Sequence, residues 1–270
     1  MLADMHTHSE NSHDSSCKIE VMLLSELQKG TEIFAVTDHF ETSIHAKQDI
    51  FTPIKNACET ATLLNRKYEG KALVLAGIEI SEGFWHPDVC KQASKMADFD
   101  VIIGSVHHVK HKDLIMPTSQ IDFKSLGKET SEMYLDSYFN DVLTMLESVD
   151  FDVLAHLTYP LRYINGKYGV GVSLDSYREK IDRILKKTVE RNIALEINTS
   201  SYSILGEFMP STDIIKKYLS LGGKLITLGS DAHIKENASA HFSAATDFLK
   251  EIGINEIYYY KNRKPQSIKL

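Results

Sequence analysis

The chain has 270 residues, of which 43% are hydrophobic and 25% are charged, a composition typical of a folded globular protein. Its 37 acidic and 30 basic residues give a net charge of −7, which argues against a surface that coats nucleic acid. No apolar stretch reaches the roughly 20 residues of a membrane helix, and no signal-peptide pattern precedes the first motif. Cys17, Cys58 and Cys90 are widely spaced and indicate neither a disulfide framework nor a thiolate metal site. We therefore expect a cytoplasmic protein that makes no contact with membranes or nucleic acids.

The first predicted element is a short strand that ends in Asp4-Met5-His6-Thr7-His8. Because side chains alternate across a strand, Asp4, His6 and His8 point to one side and two imidazoles face a common point. An isolated His-x-His motif is weak evidence for a metal, since two histidines in a half-exposed strand have the same pattern. We expect Asp4 to orient one ring by accepting its second N–H.

Strands and helices alternate along the rest of the chain. Buried-type strands are predicted at 32–36, 72–78, 99–106, 151–155, 194–197, 224–228 and 256–260. Amphipathic helices are predicted at 19–29, 54–68, 87–96, 129–147, 174–191, 212–221 and 240–252. Long loops at 109–124 and 157–172 are of the kind that more often has a function. The alternation predicts parallel βαβ units in one (β/α) barrel domain that covers residues 1–270.

Candidate metal ligands follow the predicted strands, always at the same end. In a parallel barrel the C-terminal ends of all strands share one rim, and active sites lie there. Scattered structural histidines would not all choose this end, so we expect one site. Histidine and carboxylate donors without cysteine suit zinc, iron or manganese, and so many donors exceed the needs of one ion. The candidates are His6, His8, His13, His39, Glu79, His107, His156, Asp231 and His233.

In series, these motifs resemble the PHP (polymerase and histidinol phosphatase) superfamily, and within it the histidinol-phosphate phosphatase branch. The resemblance covers nearly the whole chain, and six motifs in the same order are highly specific. They are DMHTHS with the following His13, VTDH at 36–39, GIE at 77–79, GSVH at 104–107, LAH at 154–156 and GSDAH at 229–233. The resemblance implies a distorted (β/α)7 barrel of the PHP type, with a trinuclear metal centre at the C-terminal rim of the strands.

The resemblance also implies how three divalent ions share these ligands, with Glu79 as a bridge. One ion takes His6, His8, Glu79 and Asp231, a second takes Glu79, His107 and His156, and a third takes His13, His39 and His233. The spacing after the His-x-His pair varies in the superfamily, so Asp14 is an alternative to His13. Zinc is the first expectation, although the same ligands accept iron or manganese.

The activity that the resemblance implies is hydrolysis of L-histidinol phosphate to L-histidinol and phosphate, in histidine biosynthesis. We expect a metal-bridging hydroxide near Glu79 and Asp231 to attack phosphorus in line. Arg162, in the loop after the His156 strand, is expected to grip two phosphate oxygens, and the family's phosphatases likewise have an arginine there. Candidates for binding the substrate are Arg162, His39, Glu10, Glu41, Trp85 and Tyr163.

Three other functions stay open. The same metals could serve another phosphate ester, such as a nucleotide, a sugar phosphate or phosphotyrosine. Barrels of the amidohydrolase type also begin with His-x-His. That class requires a bridging lysine or equivalent at a later strand, and it has no counterparts of the early His13 and His39. Some PHP modules are structural or proofreading attachments to DNA polymerases. The complete ligand set argues against such a role for this chain. The sequence leaves the oligomeric state open.

Overall fold

The computed structural model describes residues 1–44, 48–110 and 116–270. At its centre lies a curved sheet of parallel strands. These strands are β1 (Leu2–Thr7), β2 (Thr31–Val36), β3 (His39–Glu41), β4 (Leu73–Ser81), β5 (Val101–Ser105), β6 (Val153–Leu154), β7 (Ala194–Asn198) and β8 (Ile226–Gly229). They pair in the order β1-β2-β4-β5-β6-β7-β8. β3 continues the line of β2 along β4, so that β2 and β3 together fill one position in the sheet.

The first and last strands of this order meet and nearly close the sheet into a barrel. Thr7 forms a parallel bridge with Ala232, and the backbone N–H of His8 donates to the carbonyl of Ala232 over 2.9 Å. The backbone N–H of Asp231 donates to the carbonyl of His6 over 2.8 Å. With seven strand positions around the axis, the predicted distorted (β/α)7 barrel is confirmed.

Helices connect most of these strands along the chain. They are α1 (Ile19–Gln28), α2 (Phe51–Lys67), α3 (Pro87–Ala93), α4 (Phe123–Ser148), α5 (Arg178–Glu190), α6 (Tyr202–Leu205), α7 (Thr212–Ser220) and α8 (Phe242–Glu251). α4 begins before the predicted residue 129 because two helical pieces meet at Gly127, whose φ of 75° suits glycine. Within the described ranges, no helix is both long and apolar enough to cross a bilayer.

The predicted strand at 256–260 exists but lies outside the barrel. It forms β9 (Glu256–Lys261), which pairs antiparallel with β10 (Lys264–Lys269), a strand that sequence patterns did not indicate. A two-residue turn is enough to join antiparallel strands, whereas another parallel strand would need a long crossover. The backbone N–H of Arg263 in this turn donates to the carbonyl of Asp100, just before β5. The hairpin therefore lies at the N-terminal end of the barrel, away from the predicted site.

The apolar core lies between the sheet and the helices. Phe34 of β2, Ile102 of β5 and Leu195 of β7 are buried there, in one cluster with apolar residues of α2 and α4. That the chain forms one domain stays a prediction, which this continuous core supports. The C-terminal ends of the strands instead bury polar and charged side chains. Burying such groups is costly unless they are paired or bind a metal, so this end of the barrel indicates function.

Candidate metal centre

Glu79, near the C-terminal end of β4, lies at the centre of the predicted ligands and is fully buried. Its Oε1 lies 3.1 Å from Nε2 of His156 and 3.2 Å from Nε2 of His107. Its Oε2 lies 2.7 Å from Nδ1 of His39 and 3.4 Å from Nε2 of His6. One carboxylate thus faces four imidazoles that come from four different strands or strand ends.

The segment after β8 completes this arrangement. Oδ1 of Asp231 lies 3.2 Å from Nε2 of His8. Asp231 has a φ of 54°, a left-handed conformation that is uncommon outside glycine and is often found at functional sites. Nε2 of His233 lies 3.3 Å from Nε2 of His39. The segment after β8 therefore brings a carboxylate and an imidazole to His8, which follows β1, and to His39 of β3.

Four groups of three donor atoms are compact enough to hold an ion. Within each group the donor atoms lie within 4.8 Å of one another. The groups overlap, so together they form one connected cluster, which includes every predicted ligand except His13. They are His6, Glu79 and His156; His39, Glu79 and His107; His6, His8 and Asp231; and His8, His39 and His233.

Several buried donor atoms at the centre of this cluster make no hydrogen bond of normal geometry among the described residues, although some lie within ion-pair distance of one another. They are Nε2 of His6, Nε2 of His8, Nδ1 of His39 and Oε2 of Glu79. A buried polar group without a partner costs roughly 1–3 kcal/mol, so several at one point are not expected in a purely structural core. A divalent cation explains them, because imidazole nitrogens and carboxylate oxygens without thiolates suit zinc, iron or manganese.

The pKa values in the cluster follow from its burial and its charges. Burial opposes ionisation of Glu79, but the surrounding histidines, led by His107, hold the pKa of its carboxyl well below the usual value. Burial lowers the pKa of His8, and nearby His39 and His233 lower it further. For His39, burial is outweighed by the Glu79 carboxylate, which raises the pKa to about 10. Protons therefore compete with a metal at that ring.

His13 stands apart from the cluster. Its side chain is exposed, and the centre of its ring lies 5.3 Å from that of His39. The neighbouring Asp14 faces the cluster instead, with Oδ2 at 3.2 Å from Nε2 of His233 and Oδ1 at 3.5 Å from Nε2 of His39. Of the two residues that the sequence left open, Asp14 is the nearer donor.

Glu196 of β7 belongs to the site, although sequence patterns did not indicate it. Its Oε1 lies 2.6 Å from Nδ1 of His6. Asp4, which was predicted to orient a ring, instead accepts the backbone N–H groups of His6 over 3.2 Å and Ser230 over 3.0 Å. The prediction for Asp4 is therefore wrong, because its carboxylate binds backbone and not imidazole. The one sequence signal for Glu196 is a carboxylate within an otherwise apolar strand.

A cavity of about 540 Å³ opens beside the cluster. Its lining includes the predicted substrate-binding residues His39, Glu41, Arg162 and Tyr163. It also includes Ser200, whose hydroxyl accepts a hydrogen bond from Nη1 of Arg162 over 2.9 Å. The structure thus brings the arginine of the long 157–172 segment to the same space as the metal ligands.

Two of the predicted substrate-binding residues do not line this cavity. Oε2 of Glu10 accepts the backbone N–H of Ile19 over 3.0 Å, at the start of α1. The ring of Trp85 lies beneath Lys110, with Nζ 4.2 Å from the ring centre. One side chain caps a helix and the other packs against a lysine, so neither is part of the candidate substrate site.

Comparisons with known proteins give the chain a family. A model described as PHP domain matches residues 4–200. A Clostridium acetobutylicum protein named probable histidinol-phosphatase is 30% identical over 265 residues, 97% of this chain and 98% of that protein. A Lactococcus lactis protein named histidinol-phosphatase is 25% identical over 262 residues, 97% of this chain and 95% of that protein.

A solved structure shares the fold. It is the crystal structure of histidinol phosphate phosphatase from Lactococcus lactis, complexed with zinc, L-histidinol and phosphate. The match covers 98% of both chains with a TM-score of 0.82, and at 22% identity this likeness shows the fold alone. The family model matches well over half of the chain, and the Clostridium relative matches nearly all of it. The chain therefore belongs to the PHP domain family.

Proposed function

We propose that this chain is a metal-dependent phosphatase that hydrolyses L-histidinol phosphate to L-histidinol and phosphate, a step of histidine biosynthesis. The observation that carries the proposal is the convergence of buried imidazole and carboxylate donor atoms around Glu79, several of them without a well-directed hydrogen bond among the described residues, beside a cavity that Arg162 and Glu41 also line. Relatives that span nearly the whole chain bear the name histidinol-phosphatase, which supports the choice of substrate. The zinc, L-histidinol and phosphate in the Lactococcus structure support it further.

The ions we propose for this cluster are three divalent cations, with zinc as the metal. When bound, such ions lower the pKa of water and neutralise charge on phosphoryl oxygens. Iron and manganese suit the same donors. The proposed ligand sets follow the order of the sequence motifs. They are His6, His8, Glu79 and Asp231 for one ion; Glu79, His107 and His156 for a second; and His39, His233 and either His13 or Asp14 for a third.

Glu79 and Asp231 are the proposed catalytic carboxylates. Burial opposes their ionisation, but neighbouring histidines, led by His107 for Glu79 and by His6 for Asp231, hold both pKa values well below the usual range. Both side chains therefore stay ionised at neutral pH. An ionised carboxylate accepts a hydrogen bond from a water molecule and can orient that water for attack on phosphorus.

The substrate's two ends differ in charge, and the cavity wall offers partners for both. Arg162 has N–H groups in a fork that matches two phosphate oxygens. Glu41 is an anion suited to the substrate ammonium group, since contact with His107 outweighs burial and lowers the pKa of Glu41 to about 2. The hydroxyl of Tyr163 lies 3.2 Å from that of Tyr159, which gives one aromatic wall a polar edge for an imidazole.

Phosphate release from L-histidinol phosphate by the purified, zinc-loaded protein tests this proposal. We expect turnover by the unsubstituted protein and almost none by Glu79→Gln, because an amide cannot bridge cations as a carboxylate does. Glu59→Gln, at an exposed glutamate of α2, is the matched control and should keep full activity. Faster hydrolysis of a nucleotide, a sugar phosphate or phosphotyrosine would contradict the substrate. Full activity of Glu79→Gln would contradict the metal cluster.

A further inference from the structure

Glu196 is a buried carboxylate that contacts two of the proposed ligands without belonging to any donor group of the cluster. Its side chain is 1% exposed. Its Oε1 lies 2.6 Å from Nδ1 of His6. Its Oε2 accepts the backbone N–H of His156 over 2.7 Å and the side-chain N–H of Asn198 over 3.1 Å. Both carboxylate oxygens are therefore engaged, on opposite sides, by residues from three different strands or strand ends.

The contact with His6 decides which ring nitrogen is free to bind a metal. A carboxylate oxygen only accepts hydrogen bonds, so Nδ1 of His6 has to carry the proton. Nε2 is then the donor atom, and this is the buried atom without a partner, 3.4 Å from Oε2 of Glu79. A histidine ligand whose second nitrogen donates to a carboxylate is held in one tautomer and orientation and becomes a stronger ligand.

The second oxygen holds His156 through its backbone. His156 has a φ of 21°, which is unfavourable for a residue with a Cβ. The hydrogen bond from its N–H to Glu196 supports this turn, which directs Nε2 to within 3.1 Å of Oε1 of Glu79. Glu196 thus fixes two of the three members of the donor group His6, Glu79 and His156.

Gly229, at the end of β8, leaves the space that this carboxylate needs. A Cβ added at Gly229 would overlap Oε1 of Glu196 and would lie 2.7 Å from Cβ of His6. A larger residue would therefore have to displace Glu196 or His6. The glycine at this position is explained by this contact and not by its φ, since Gly229 is not among the residues with positive φ.

We propose that Glu196 is a positioning residue that sets the metal affinity of the two proposed ion sites that share Glu79, by holding His6 of one site and His156 of the other at the same time. This inference deepens the proposed function, because it rests on metal binding at the cluster, but it assumes nothing about the substrate. Glutamine cannot take the place of Glu196. An amide has one acceptor oxygen, so its NH₂ group would face either the His6 ring N–H or the N–H groups of His156 and Asn198.

The zinc affinity of Glu196→Gln, measured by competition with a chelator, tests this inference. We expect the most tightly bound zinc to be held about 10- to 100-fold more weakly than in the unsubstituted protein. Asp152→Asn is the matched control, since Asp152 is a buried carboxylate that accepts the backbone N–H of Ile102 over 2.8 Å at the other end of the barrel. Its zinc affinity should not change. Circular dichroism of both metal-free variants separates loss of folding from loss of metal.

A folded Glu196→Gln that holds zinc as tightly as the unsubstituted protein would overturn the inference. If this variant does not fold, nitrogen NMR of the zinc-loaded, unsubstituted protein decides. A hydrogen-bonded proton on Nδ1 of His6 supports the positioning role, whereas a proton on Nε2 overturns it. An unsubstituted protein that binds no zinc, iron or manganese would contradict the proposed function itself, and the inference with it.

Discussion

Oδ2 of Asp14 lies 3.2 Å from Nε2 of His233, at the side of the cluster that is nearer to solvent. The same carboxylate approaches His39, whose Nε2 lies 3.3 Å from that of His233. The exposed fraction of the side chain rises from 8% for His39 to 27% for His233 and 44% for Asp14. Asp14 and His233 are therefore more open to solvent than the donors around Glu79, His39 included.

We expect Asp14→Asn to lose one bound ion per chain, while His13→Asn keeps it. The substitution of Asp14 removes an anionic oxygen that lies 3.2 Å from Nε2 of His233 and 3.5 Å from Nε2 of His39, whereas the ring centre of His13 lies 5.3 Å from that of His39. Zinc per protein after dialysis, measured by mass spectrometry, checks this result. Loss of the ion from His13→Asn and not from Asp14→Asn would make His13 the ligand.

Arg162→Ala should lower kcat/KM for L-histidinol phosphate about 100-fold and weaken inhibition by inorganic phosphate. Arg162 is tethered to the cavity wall, because Ser200 accepts its hydrogen bond and in turn donates to Oδ1 of Asn198 over 2.7 Å. Arg162→Lys keeps the charge without the fork and should recover only part of the activity. The control is Arg178→Ala, at an exposed arginine of α5. Phosphate inhibition that is the same in Arg162→Ala would exclude this residue from the phosphate site.

Glu41→Gln should raise KM for L-histidinol phosphate by about tenfold or more, because a charge-assisted hydrogen bond to the ammonium group is lost. Hydrolysis of p-nitrophenyl phosphate, which has no amine, should stay close to that of the unsubstituted protein. Glu41 also lies 3.8 Å from Nδ1 of His107, so it has a second candidate role as a support for that ring. Equal losses with both substrates would assign Glu41 to this second role.

A pH dependence of stability follows from Glu26, a buried glutamate of α1. Burial and the nearby Asp4 carboxylate raise the pKa of Glu26 to about 9. The folded chain therefore keeps a proton that the unfolded chain releases above the ordinary pKa of a glutamate. The stability that this group contributes is complete at acidic pH and is lost as pH rises through about 9.

Glu26→Gln resembles the protonated form and should flatten this dependence. We expect the variant to be more stable than the unsubstituted protein by about 1–2 kcal/mol at alkaline pH, with the difference shrinking towards pH 5. Urea unfolding of the metal-free proteins at a series of pH values measures it. Parallel stability curves for the two proteins across that range would show that Glu26 does not carry the shifted proton.

The order of the elements and the end of the barrel that carries the site followed from the sequence alone. Each depends on local information: the period of apolar residues along a strand or helix, and the side chain that follows each strand. Because the strands are parallel, residues such as Glu79 and His156, far apart in the chain, had to meet at one rim. The family could also be predicted from the sequence, because each motif is a short run of neighbouring residues and the motifs match in order.

Only the tertiary structure decided which side chains support the ligands. Glu196 and His6 are 190 positions apart, and no local pattern links them. The turn that brings Asp14 to His39 and His233 lies in a loop, where no periodicity fixes the direction of a side chain. Loop residues such as Trp85 could not be placed for the same reason. Periodicity is a property of neighbouring residues, whereas these contacts arise from how strands and loops pack after the barrel has closed.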